Sequence, residues 1–106
     1  MYPEVQILVV HMGGVGHADL TKAAIEVAQE CPNLTLIGSA VRAVAVLDAV
    51  HILGADRVCF GSDTPFALMH VEVAKYEALL QGEVTPAEKQ LVMGGNIARL
   101  MRLDLA

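Results

Sequence analysis

Apolar residues fall along this chain in two alternating rhythms. Val5-Gln6-Ile7-Leu8-Val9-Val10 is a β-branched, nearly continuous apolar run that stops at His11-Met12-Gly13-Gly14. That is the form of a strand buried on both faces and ended by a glycine turn. Over residues 18–30, Leu20, Ala23, Ala24, Val27 and Ala28 recur at helical spacing, with Asp19 as cap or first-turn acid, until Pro32-Asn33 breaks the pattern. Leu34-Thr35-Leu36-Ile37-Gly38-Ser39 reads as a second strand, followed by a helix over residues 42–53 that stops at Gly54. Arg57-Val58-Cys59-Phe60-Gly61-Ser62-Asp63 reads as a third strand, which Thr64-Pro65 prevents from continuing. A helix over residues 71–80 ends at Gly82, and Thr85-Pro86-Ala87-Glu88 has the form of a capping box opening a helix through Met93. After Gly94-Gly95, Asn96 is placed to cap a terminal amphipathic helix carrying Ile97, Leu100, Met101 and Leu103.

Strands that alternate with helices of ten or more residues pair in parallel through right-handed crossovers. The expectation is therefore an α/β chain of three parallel βα units, βαβαβα plus C-terminal helices, forming one domain over residues 1–106. No internal linker or low-complexity segment interrupts it. A complete eight-stranded β/α barrel takes roughly 250 residues, so 106 residues supply less than half of one.

The chain is 55% hydrophobic and only 18% charged. An open sheet of that composition has little polar surface with which to shield its strand edges, which predicts a homo-oligomer formed through those edges. The net charge of −5, without a Lys/Arg cluster, argues against nucleic acid as a partner. Cys31 and Cys59 stand apart from other ligand-type residues and read as reduced packing residues. The run from Ile7 to Val10 is too short to span a bilayer, and no signal-type segment opens the chain, so no membrane partner and a cytoplasmic location are expected.

In parallel α/β folds, ligands gather at the carboxyl ends of the strands. His11 follows the first strand and Asp63 ends the third, which brings an imidazole and a carboxylate to one edge of the sheet. These are the nitrogen and oxygen donors of a catalytic zinc or similar divalent ion, and a carboxylate there also accepts a proton from metal-bound water. The structural alternative is that Asp63 caps the next helix and His11 is merely hydrogen-bonded in its turn.

Four stretches taken together resemble the closing third of the amidohydrolase-related family of metal-dependent hydrolases and lyases. They are His11-Met12-Gly13-Gly14, then Pro32-Asn33-Leu34, then the run from Gly54 to Phe66 with Gly61-Ser62-Asp63-Thr64-Pro65 at its centre, and finally Gly95-Asn96-Ile97-Ala98-Arg99-Leu100. The Gly-Ser-Asp-Thr-Pro segment is the most specific of the four. The resemblance implies a partial TIM-type (β/α)8 barrel corresponding to strands six to eight. It implies that Asp63 binds or adjoins a divalent metal, zinc above all, and exchanges a proton with activated water, and that His11 contacts the metal, the water or the substrate. The substrate it implies is a small carboxylated or cyclic molecule. The family's first-strand His-x-His pair and its mid-barrel ligand have no counterpart in these 106 residues. The expectation for the chain alone is thus a fragment or truncated form, inactive by itself, with a non-catalytic oligomerising α/β domain as the alternative.

Arg42 follows the second strand and His17 shares the glycine turn of His11, which makes both candidate substrate contacts; the commoner role of such residues is helix surface for Arg42 and solvated loop or helix entry for His17. His70 follows the Asp63 loop and could line a pocket, whereas His51 lies within a helix as a surface or packing residue. Gly14-Val15-Gly16-His17-Ala18-Asp19 invites a dinucleotide-loop reading, but a third glycine is missing, Asp19 places negative charge where phosphate would bind, and Ser39 stands where a ribose-binding acid belongs.

Overall fold

The computed structural model describes residues 2, 4–15 and 17–103; Gly16 of the candidate phosphate turn lies outside the described residues. Strands β1 (Ile7–Val9), β2 (Leu34–Ile37) and β3 (Val58–Cys59) form one parallel sheet in the order β1-β2-β3. Helix α1 (Ala18–Glu30) joins the first two strands and α2 (Ala43–Leu53) the next two. Helix α3 (Met69–Leu80) follows, and then the short helices α4 (Pro86–Gln90) and α5 (Asn96–Leu100). Parallel pairing in sequence order requires crossovers of one hand, which set α1 and α2 side by side over the same face; the two helices touch.

Register decides which side chains meet those helices. Ile7 stands beside Leu34, Val9 beside Leu36, and Leu36 beside Val58. Parallel neighbours point to the same face and successive residues to opposite faces, so Val9, Leu34, Leu36 and Val58 form the row beneath the helices; Leu36 and Val58 belong to the buried core with Ile25, Val46, Tyr76 and Leu80, and Val9 and Leu34 pack against it. Leu8, Thr35, Ile37 and Cys59 form the row that faces away.

Three boundaries depart from the sequence pattern. The first strand keeps only three residues, and as an edge strand it is not buried on both faces: Val5, Ile7 and Val10 are all more than two-fifths exposed. The apolar stripe of α1 is rotated from the expected one, because Thr21, Ile25 and Ala28 are buried while Leu20 and Val27 are half exposed. The third strand keeps two residues of the seven expected, since Arg57 belongs to the preceding 3-10 turn and the Phe60 amide donates to the Val92 carbonyl at 2.8 Å rather than to a strand.

The C-terminal segment explains that last difference. The Thr85 capping box is present as expected, with Glu88 Oε1 accepting from the Thr85 amide and Thr85 Oγ1 accepting from the Glu88 amide. Beyond α4 a wide π-type turn (Leu91–Gly95), kinked at Gly94, leads into α5; Gly95 and Asn96 already have helical backbone angles, so Asn96 caps nothing. Its fully buried amide instead donates to the Ala55 carbonyl at 2.6 Å and the Val58 carbonyl at 2.9 Å.

This has a consequence for the sheet edges. The Gly38 amide donates to the Cys59 carbonyl, so Cys59 faces β2 and its neighbours Val58 and Phe60 face outward. One outward group of each is taken by the C-terminal segment, the Val58 carbonyl by Asn96 and the Phe60 amide by Val92. On the other side the Ile7 amide donates to the Asn33 carbonyl, which leaves the Leu8 amide and carbonyl pointing away from β2. Among the described residues no hydrogen-bond partner meets the outward edge of β1, whereas that of β3 is largely covered.

Replacing Asn96 by Leu keeps the branched outline, though with bulkier methyl groups, and removes both donors, leaving the Ala55 and Val58 carbonyls without this partner. Chemical denaturation of Asn96→Leu is expected to show a loss of about 2–4 kcal/mol, and a loss under about 0.5 kcal/mol would mean that Asn96 does not hold β3 in place.

Candidate metal centre at the strand ends

The three strands end in a shared backbone conformation. His11 (φ 57°), Ala40 (φ 54°) and Asp63 (φ 60°) each lie in the left-handed region just past β1, β2 and β3. A residue with a Cβ pays roughly 1–2 kcal/mol there, less for Asp, so such conformations persist only where surrounding contacts impose them. In the first turn Met12 is left-handed as well (φ 46°), and the double reversal drops the Met12 side chain into the core at 0% exposure while leaving the His11 ring about one-third exposed at the edge.

The His11 ring leans on β2. Its Nδ1 lies 2.8 Å from the Ser39 carbonyl oxygen and 3.0 Å from Ser39 Oγ. A carbonyl only accepts, so Nδ1 must carry the hydrogen. In neutral His11 this leaves Nε2 unprotonated, and Nε2 faces Asp63 Oδ1 at 3.9 Å. A nitrogen lone pair and a carboxylate thus confront each other with no hydrogen between them. Two facing acceptors are satisfied by a water that donates to both or by a cation that both atoms share.

At 3.9 Å the two atoms are too far apart to hydrogen-bond. Two donors bound at about 2.0–2.2 Å to a tetrahedral ion stand roughly 3.4 Å apart, so the pair would have to draw together by about half an ångström to share one. Nitrogen and oxygen donors suit zinc or manganese. Among the described residues no group of three or more His, Cys, Asp or Glu converges, so an ion at His11 and Asp63 would need further ligands.

Close packing holds the second and third strand ends together. A Cβ on Gly61 would lie 2.7 Å from the Ser39 Cβ and 2.8 Å from Ile37 Cγ2, so only glycine lets the Asp63 segment approach Ser39. Gly38 is equally confined, with Val46 Cγ2 at 2.9 Å from an added Cβ and the Tyr76 hydroxyl nearer still. The Tyr76 hydroxyl donates to the Gly38 carbonyl at 2.5 Å, and its ring meets Phe60 edge-on with centroids 4.8 Å apart. Beyond Asp63, its carbonyl accepts from the amides of Phe66 and Ala67, while Ser62 Oγ and Thr64 Oγ1 pair at 2.8 Å. The Thr64-Pro65 peptide is cis.

The remaining candidates lie elsewhere. Arg42 is the exposed N-terminal cap residue of α2, in a groove between α1 and α2 lined also by Thr21, Ile25 and Asp48. His17 is the exposed cap residue of α1 and makes no side-chain cap bond. His70 is exposed in the first turn of α3, and the equally exposed His51 lies 3.5 Å from Glu83. Sequence reasoning missed Ser39 and Tyr76. The available signal was the Gly-Ser pair that follows both β2 and β3, at Gly38-Ser39 and Gly61-Ser62.

Parallel βα units with a histidine and an aspartate at the strand ends define a segment of an α/β barrel. The family model described as Amidohydrolase matches residues 1–103, and the chain belongs to that family. Among solved structures, an amidohydrolase from Burkholderia multivorans with bound HEPES superposes with a TM-score of 0.79 at 21% identity, over 97% of this chain and 46% of its own. A crystal form of that protein with bound zinc gives a TM-score of 0.77 at the same identity and coverage. A dihydroxybenzoic acid decarboxylase from a Polaromonas species, with bound manganese and the inhibitor 2-nitroresorcinol, gives 0.72 at 23% identity over 99% of this chain and 36% of its own. A 5-carboxyvanillate decarboxylase from Sphingomonas paucimobilis gives 0.70 at 21% identity over 97% and 35%. These likenesses establish the fold as a partial barrel, and the chain spans less than half the length of each of these structures. No curated protein matches it.

Tyr76 gives the second strand end a pH signature. Burial, then the nearby Glu72 and Cys59, push its phenol well above the ordinary value near 10. The folded-state value exceeds the unfolded one, so this group's contribution is complete below about pH 10 and is lost as the pH rises beyond it. Tyr76→Phe should cost about 1–3 kcal/mol at pH 7 and show a shallower fall in stability above pH 10 than wild type. Parallel pH–stability curves would contradict this account of the phenol.

Proposed function

We propose that this chain contributes one half of the metal site of an amidohydrolase-type hydrolase or decarboxylase acting on a small carboxylated or cyclic substrate. The observation that carries the reading is His11 Nε2 facing Asp63 Oδ1 at 3.9 Å while Nδ1 of the same ring is turned to the Ser39 carbonyl. Bound there, a divalent ion supplies a Lewis acid and an activated water. Asp63 would hold it by one oxygen and use the other to accept a proton; His11 would donate Nε2 and, with Nδ1 fixed, present the ring in one orientation. Zinc generally takes three protein ligands in a catalytic site, so at least one more would come from barrel strands beyond the three in this chain, and the chain alone would be a weak binder with little or no activity. The substrate class rests on the names of the two decarboxylases of the same fold. Titration calorimetry with zinc and with manganese should find weak binding by the wild-type chain, reduced about tenfold or more, or about 1.4 kcal/mol, in both Asp63→Ala and His11→Ala. Wild type and both variants behaving alike would overturn the reading.

The open edge of β1 supports a second, compatible reading, an oligomerising α/β domain. Residues 5–10 carry no charge to discourage edge pairing. With the β3 edge largely covered, two copies would meet β1 to β1 about a two-fold axis, and growth would stop at a dimer. That pairing is antiparallel and places the two His11–Asp63 sites at opposite ends of a six-stranded sheet, so a second copy joined this way would not complete the first copy's ligand set. Light scattering at micromolar concentration should give twice the chain mass of 11.3 kDa, and Val5→Lys should shift the protein to monomer. A stable wild-type monomer would count against the reading.

A further inference from the structure

We propose that Ser39 is the positioning residue of this site, holding the His11 ring by Nδ1 so that Nε2 is the nitrogen left facing the site. The inference rests on the metal reading above for its consequence, while its geometry stands independently.

Ser39 presents two oxygens to one nitrogen. Its carbonyl lies 2.8 Å and its hydroxyl 3.0 Å from His11 Nδ1. The carbonyl fixes the chemistry, since an unprotonated Nδ1 at 2.8 Å would set two lone pairs against each other. Nδ1 therefore keeps its hydrogen in both the neutral and the cationic ring, and the hydroxyl oxygen serves as a second acceptor beside the first. A single acceptor lets the ring swing about the hydrogen bond; two acceptors on one residue restrict that swing. Histidines that bind metals depend on such a partner at the opposite nitrogen to fix tautomer and orientation.

The surroundings make Ser39 a rigid support. It is only 5% exposed. Gly61 leaves room for no larger neighbour against its Cβ, the preceding carbonyl is held by the Tyr76 hydroxyl, and the following residue, Ala40, turns the chain away in a left-handed conformation. The two residues that supply donors to the site, His11 and Asp63, follow the two outer strands, and Ser39 follows the strand between them.

Ser39→Ala removes the hydroxyl and keeps the carbonyl; Ser39→Thr restores a hydroxyl and serves as the rescue variant. Two measurements on each chain separate the positioning role from the metal reading. In the metal-free protein, the exchange rate of the His11 Nδ1 hydrogen with solvent, followed by NMR, should rise severalfold in Ser39→Ala and return toward wild type in Ser39→Thr. With Zn2+ as the only added ligand, the dissociation constant should rise by about tenfold in Ser39→Ala, the low end of the range for such supporting partners. Unchanged exchange in a folded Ser39→Ala would overturn the positioning role. Altered exchange with no zinc binding by any form would leave Ser39 as the support of His11 and remove the metal reading instead.

Discussion

The hydrogen bond from His11 Nδ1 to the Ser39 carbonyl is the constraint on which the strand-end edge depends. It ties the turn after β1 to the turn after β2 and decides which imidazole nitrogen is left over. Without it, the left-handed backbone at His11 and Met12 would be strain with no visible return. With it, Met12 fills the core on one side of the turn and the imidazole faces Asp63 on the other. Packing and site geometry are set by the same two residues.

A comparable logic runs through the polar residues farther from the site. Arg57 donates to the carbonyls of Leu34, Ala28 and Cys31, Asn33 to those of Tyr2 and Val5, and Asn96 to those of Ala55 and Val58. Each is a side chain satisfying backbone acceptors where a strand or helix begins or ends. Strands of two to four residues have few ladder bonds of their own, so these clamps supply what longer strands would otherwise provide. The family-like segments Pro32-Asn33-Leu34 and Gly95-Asn96-Ile97-Ala98-Arg99-Leu100 thus report on how the sheet is held, and only the segments around His11 and Asp63 report on chemistry.

That division explains what could be read from the sequence. The order of elements and the strand-end placement of His11 and Asp63 follow from local patterns, since apolar runs, glycine stops and helical spacing act within a few residues. Asn96 was misplaced as a cap because its partners lie 38 and 41 residues away, a distance that no local pattern encodes. Ser39 was passed over because a serine after a strand carries no signal until the fold brings it 28 residues back to His11. The lengths of β1 and β3 were overestimated for a related reason. The apolar run begins at Val5, two residues before β1, and its last residue, Val10, already belongs to the 3-10 turn, while the β3 run continues past the point where Phe60 leaves to pair with Val92.

The central claim is that neutral His11 carries its hydrogen on Nδ1 and offers Nε2 to the space before Asp63. Long-range proton–nitrogen NMR of the 15N-labelled wild-type chain, recorded at a pH where the ring is neutral, reports which ring nitrogen is protonated. A protonated Nδ1 with a lone-pair shift at Nε2 is the predicted result. A hydrogen on Nε2, with the lone pair turned toward Ser39, would contradict the account.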